Sequence, residues 1–130
     1  MFLAYMKNKI LIAKLGLDGH DRGAMIVYKI LKEQGFDTLY MGIRHTPDEI
    51  VETAKREKID IIGLSCLSGN HLKLLGDVMD LLKKNNLNVR VIVGGIIPSN
   101  DIKLLKGMGI ADVFTPGTSI KKIIDKIKSY

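Results

Sequence analysis

Five short runs of β-branched and apolar residues, each followed by a stretch with helical spacing, constrain this chain more than any other feature. Lys9 to Leu15 (KILIAKL) reads as a first strand. Gly23 to Gln34 reads as a helix, with Gly35 as its stop. Asp37 to Tyr40 is a short second strand. Thr46-Pro47-Asp48-Glu49 then has the makings of a helix start, with Thr46 as N-cap, Pro47 in the first turn and two acids near the positive helix end. That helix is expected to run to about Lys58. Asp60 to Leu64 (DIIGL) is a third strand, and His71 to about Lys84 a third helix closed by Asn85-Asn86. Asn88 to Val93 is a fourth strand. Pro98 or Ser99 opens a helix ending near Gly107, Asp112 to Phe114 is a short fifth strand, and Ser119 begins the last helix.

Apolar strands alternating with helices imply a parallel sheet covered on both faces. Five of each in 130 residues fit an α/β, flavodoxin-like doubly wound fold with strand order 2-1-3-4-5. Residues 1–130 are expected to form one domain, with no repeat, linker or low-complexity segment. The apolar opening, Met1 to Met6, is too short for a signal-peptide core, and Met6 is an alternative start. No apolar run approaches the roughly 20 residues that span a bilayer. A single cysteine, Cys66, excludes an internal disulfide and suits a reducing cytoplasm. The formal net charge is +6, but there is no Trp and no basic run interleaved with aromatics, which argues against nucleic acid as partner. Lys121, Lys122, Lys126 and Lys128 have the spacing of a solvated helix face.

In doubly wound folds ligands bind at the carboxyl ends of the strands, near the switch point between the first and third. The loops expected there are Gly16 to Gly23, Ser65-Cys66-Leu67-Ser68-Gly69, Gly94-Gly95-Ile96-Ile97-Pro98 and Thr115-Pro116-Gly117-Thr118. All are small, glycine-rich or hydroxyl-bearing, so a ligand could approach the backbone closely. The glycines at 16, 19 and 23 do not fit a dinucleotide fingerprint, and no phosphate-binding P-loop sequence occurs. Asp18 and His20 are two apart. A carboxylate so placed can accept one imidazole N–H and leave the other nitrogen for a metal, although spacing alone favours a capping Asp and a solvated His. Lys14 lies in an otherwise apolar strand, with Asp18 a plausible partner. Cys66 reads as a small packed residue, and His45 as a polar loop residue on the ligand edge. His71 either lines the cavity or faces solvent. No zinc spacing and no paired carboxylates for acid–base work stand out.

Asp18-x-His20-x-x-Gly23, then Ser65-x-Leu67, then Gly94-Gly95 together resemble the signature of the cobalamin-binding domain shared by adenosylcobalamin mutases and methionine synthase. The finer resemblance is to the methylmalonyl-CoA mutase branch. It runs through Gly16 to Ala24, Thr46 to Val51, Leu67-Ser68-Gly69, Val93 to Pro98 and Phe114 to Thr118, and covers about residues 8 to 127. Cys66 departs from it, standing where a second small hydroxyl residue is expected.

The resemblance implies that His20 is the lower axial ligand of cobalt, displacing the cofactor's dimethylbenzimidazole. Asp18 would then accept the second ring N–H of His20, with Lys14 completing the relay. Gly19, Asp21, Arg22 and Gly23 would contact the corrin. The displaced tail would run beside the third strand, with Ser65 bonded to the benzimidazole and Leu67, Ser68 and Gly69 shaping the slot. Gly94 and Gly95 would pass close to the tail, and Phe114, Gly117 and Thr118 would flank its far side. The implied cofactor is adenosylcobalamin. The implied partner is a large TIM-barrel subunit that holds an acyl-CoA and all catalytic residues. A barrel needs about 250 residues, so this chain is expected to bind cofactor but not to turn over alone. Methylmalonyl-CoA, ethylmalonyl-CoA and 2-hydroxyisobutyryl-CoA are all open as substrates. The alternatives are a corrinoid carrier for methyl transfer and, from another class, a receiver-like signalling module. The latter lacks an acceptor Asp where Ser65 stands.

Overall fold

The computed structural model of the chain describes residues 8–15, 22–66, 71–115 and 117–130. The elements alternate as β1 (Lys9–Leu15), α1 (Arg22–Glu33), β2 (Asp37–His45), α2 (Pro47–Arg56), β3 (Ile61–Ser65), α3 (His71–Lys84), β4 (Arg90–Gly94), α4 (Ser99–Gly107), β5 (Asp112–Phe114) and α5 (Ile120–Lys128). The strands form one sheet in the order β2-β1-β3-β4-β5, with every pairing parallel. This is the doubly wound, flavodoxin-like topology expected from the alternation.

The helix boundaries have local causes. Thr46 caps α2 through a full capping box: its side chain accepts from the Glu49 amide, and Glu49 accepts from the Thr46 amide at 2.9 Å. That bond from the Thr46 backbone holds the Glu49 carboxyl below its ordinary range. The first four helices end alike. A left-handed residue follows each one: Gly35, Lys58, Asn86 and Gly109. The next residue then turns back onto the helix, as in Phe36 N–H to Leu31 O at 3.1 Å and Ile110 N–H to Leu105 O at 3.2 Å. This closure places Phe36, Ile59, Leu87 and Ile110 against apolar surface just before the next strand.

Strands β1, β3 and β4 are apolar on both faces because helices cover both. Leu11, Ala13, Ile62, Leu64, Val91 and Val93 face α2, α3 and α4. Ile10, Ile12, Ile61 and Ile92 pack with Ala24 and Leu31 of α1 and Ile124 and Ile127 of α5. Most boundaries fall within two residues of the sequence expectation, and the largest departure is in β2. β2 continues past Tyr40 to His45, because the ladder to β1 survives two register shifts and resumes at Leu15 opposite His45. Gly42, at φ +90°, breaks the alternation there and hides the continuation from a periodicity reading. Among the described residues no helix is long and apolar enough to cross a membrane.

Candidate functional site

Alternation along parallel strands puts every second residue on one face. On the face of α1 and α5 this aligns Ile12 and Lys14 of β1, Gly63 and Ser65 of β3, and Ile92 and Gly94 of β4 in adjacent register. Gly63 is the consequential residue. A Cβ built there would lie 2.8 Å from Ile12 Cδ1 and 3.7 Å from Ile92 Cγ1. With a side chain missing in mid-sheet, a groove of about 360 Å³ opens between α1 and α5. Gly23, Ala24, Ile26 and Val27 wall it on one side, and Ile120 and Ile123 on the other. Gly95, Ile96, Phe114 and Thr115 close its far end.

The groove is apolar except at the C-terminal edge of the sheet. There Lys14, only 1% exposed, points its ammonium to Ser65 Oγ at 3.5 Å. A buried ammonium loses several kcal/mol of hydration, and hydrogen bonding is what makes such a position tolerable. Gly95 continues the ladder past β4, with its amide on Phe114 O at 3.2 Å. Its φ of +139° keeps the backbone flat against the groove in a way a side chain would resist.

Of the residues that the sequence singles out, Lys14, Gly23, Ser65, Gly94, Gly95 and Phe114 converge on this groove. Thr118 instead lines a shallow hollow beside it with Asp112 and Lys122, and Gly117 is exposed, with φ +95°. Arg22 is the first residue of α1. Asp18, Gly19, His20, Asp21, Leu67, Ser68 and Gly69 lie outside the described residues. The sequence reading overlooked Ile12, Gly63 and Ile92. The signal was present, since a lone glycine inside an apolar strand marks a close approach, and each of the three precedes a chosen residue by two positions.

The two described histidines take roles that spacing did not decide. His45 ends β2 on the ligand edge, with Nε2 2.7 Å from Met41 O and Nδ1 3.7 Å from Glu49. His71 neither lines the groove nor faces solvent. It is buried at the start of α3, with Nε2 2.8 Å from Asp101. Cys66 is fully buried, as a small packed residue should be. Among the described residues no three His, Cys, Asp or Glu side chains cluster to hold a bare metal ion.

A doubly wound domain with a glycine-floored, largely apolar groove at the switch point between β1 and β3 has the form of a ligand-binding module. The chain belongs to the B12 binding domain family, whose description matches residues 8–124. It is 38% identical to the 2-hydroxyisobutanoyl-CoA mutase small subunit of Aquincola tertiaricarbonis over 93% of this chain and 90% of that one. It is 45% identical to ethylmalonyl-CoA mutase of Methylorubrum extorquens, over 83% of this chain but only 16% of that larger protein. Among solved structures, a cobalamin-binding protein from Desulfitobacterium hafniense superposes with a TM-score of 0.82 at 25% identity. It covers 95% of this chain and 58% of that one.

Cobalamin suits the groove. The cofactor carries cobalt within its own corrin, so the protein need not supply a cluster of ligands. Its nucleotide tail ends in a flat, largely apolar base. A floor at Gly63, where a side chain would meet Ile12, leaves an apolar surface of the kind a flat base can lie against. Ser65 and Lys14 then offer polar hydrogens where the apolar walls end.

Proposed function

We propose that the chain is the cobalamin-binding small subunit of an adenosylcobalamin-dependent acyl-CoA mutase, working with a larger TIM-barrel subunit that binds the acyl-CoA. The observation that carries this reading is the near end-to-end match to a protein that is itself a mutase small subunit. Matches confined to a minor fraction of large mutases support a larger catalytic partner. Adenosylcobalamin, held by the residues named below, would supply radical chemistry. The residues of this chain bind and orient the cofactor and perform no acyl chemistry.

In this reading His20 would ligate the cobalt, and Asp18 would fix its tautomer by accepting the other ring N–H. Lys14 extends that relay from below. Gly19, Asp21, Arg22 and Gly23 meet the corrin. The displaced tail occupies the groove, with Ser65 bonded to the base and Leu67, Ser68 and Gly69 shaping the slot on the β3 side. Gly94 and Gly95 pass close to the tail, and Phe114, Gly117 and Thr118 flank it beyond. A methyl-carrying corrinoid protein would share this cofactor site. The small-subunit relatives favour the mutase.

The test is a visible-absorption titration of hydroxocobalamin with the purified chain, beside His20→Ala. The wild type should bind with dimethylbenzimidazole displaced and histidine on cobalt, and the variant should lose that spectrum. An unchanged free-cofactor spectrum, both with the chain alone and with its large subunit added, would overturn the assignment.

A further inference from the structure

Helix α5 is a groove wall with open space on both sides. Toward the groove it presents Ile120 and Ile123. On its other side Lys122, Asp125 and Lys126 line the hollow that it forms with β5. Phe114 of β5 lines both openings, so α5 stands between them. Ile124 and Ile127 are buried in the core of this face. A polar contact follows them. The Tyr130 phenol donates to Asp112, the first residue of β5. The guanidinium of Arg90, the first residue of β4, lies over the Tyr130 ring at 4.4 Å from its centroid. Burial, and then the bond to Asp112, pushes the Tyr130 phenol above its ordinary range, so it stays protonated and a donor at neutral pH.

The contact and the groove share one face of the sheet. Tyr130 packs on the same core cluster as Phe114, Ile120 and Ile123. Asp112 precedes Phe114 by two positions and pairs in register with Ile92 of the groove floor. The helix is also continuous between them: Ser129 N–H bonds to Asp125 O and Tyr130 N–H to Ile127 O, each at 3.2 Å, so hydrogen bonding runs on from α5 to Tyr130.

We infer that Tyr130 and Asp112 form a latch that sets where α5 stands across the groove, and so positions the wall against which the cofactor tail packs. This rests on the reading of the groove as the tail site. Buried isoleucines hold a helix without fixing its direction, and the hollow leaves α5 room to shift. The hydrogen bond fixes its far end to the sheet. A wall placed before binding loses less freedom when the ligand enters. Neither residue lines the groove, so both are positioning residues.

The experiment measures affinity for hydroxocobalamin and for aquocobinamide, the same corrin without its nucleotide tail, beside the melting temperature of the cofactor-free chain. The variants are Tyr130→Phe, Asp112→Ala, Asp112→Asn and the double variant Tyr130→Phe/Asp112→Ala. Tyr130→Phe and Asp112→Ala should each bind cobalamin about three- to tenfold more weakly, with cobinamide affinity unchanged. Asp112→Asn, which keeps an acceptor for the phenol, should stay near wild type. The double variant should be no weaker than the worse single. If cobinamide binds too weakly to follow, the Asn rescue and the coupling decide. Melting temperatures that fall while cobalamin affinity holds would overturn the latch and leave a purely structural pair. Equal losses for the two corrinoids, or additive losses in the double variant, would overturn it too. Wild type that binds cobinamide as tightly as cobalamin would overturn the groove as tail site, and the latch with it. Binding of neither, even with the large subunit, would overturn the cobalamin reading itself.

Discussion

Lys14 and Gly63 show how single residues make a groove inside a packed sheet. Ile10, Ile12 and Ile92 behave as core, each less than 5% exposed. Lys14 continues the same row and is as buried, yet its ammonium must meet polar partners, so the apolar layer ends there. Gly63 removes the side chain that would otherwise fill the row between Ile12 and Ile92. Gly63→Ala should therefore push Ile12 into the groove. Overpacking of this kind costs about 1–3 kcal/mol, and cobalamin affinity should fall about tenfold or more. Titration beside a thermal melt separates the two effects. Affinity equal to wild type in a folded Gly63→Ala chain would mean that the tail does not use this slot.

At the scale of the element, helix ends set where the loops begin. The repeated left-handed closure after α1 to α4 returns the chain to the core with an apolar residue each time. Three of the four closing positions are Gly or Asn, which tolerate that conformation, whereas Lys58 carries a full side chain at φ +55°. Lys58→Gly should stabilise the fold by about 0.5–1 kcal/mol, net of the added freedom of the unfolded chain. Gly76, inside α3 with open space around its Cα, should give about 0.5–1 kcal/mol when replaced by Ala. Each appears as a melting temperature a few degrees higher, and cobalamin affinity should not change, because neither position lines the groove.

For the whole molecule, two layers of helices flank the sheet, and the groove between α1 and α5 reaches its carboxyl edge. The chain spans nearly all of a mutase small subunit but less than a fifth of the larger mutases it resembles. The proposed division of labour makes a direct prediction. The chain with adenosylcobalamin should show no isomerisation of acyl-CoA thioesters, and adding its large subunit should establish turnover that saturates at a fixed stoichiometry. Turnover by the chain alone would end the two-subunit reading. The lysines of α5 are exposed as a solvated face, as their spacing implied.

The sequence by itself determined the order of the elements, the strand order of the sheet and most helix boundaries. These follow from signals that act over a few residues: period two or period 3.6, the Thr46–Glu49 capping box, and the glycines and asparagine that close helices. It also pointed to the family, because Asp18-x-His20-x-x-Gly23, Ser65-x-Leu67 and Gly94-Gly95 together resemble its signature. Only the tertiary structure decided which side chains share a face. The groove floor at Gly63 needs β1, β3 and β4 in register, and that register comes from packing both sheet faces at once. The extension of β2 to His45 depends on a ladder that outlasts its own irregularities. The pairing of His71 with Asp101 joins residues on different helices, where no local pattern reaches and only the way α3 and α4 sit on the sheet brings them within a hydrogen bond.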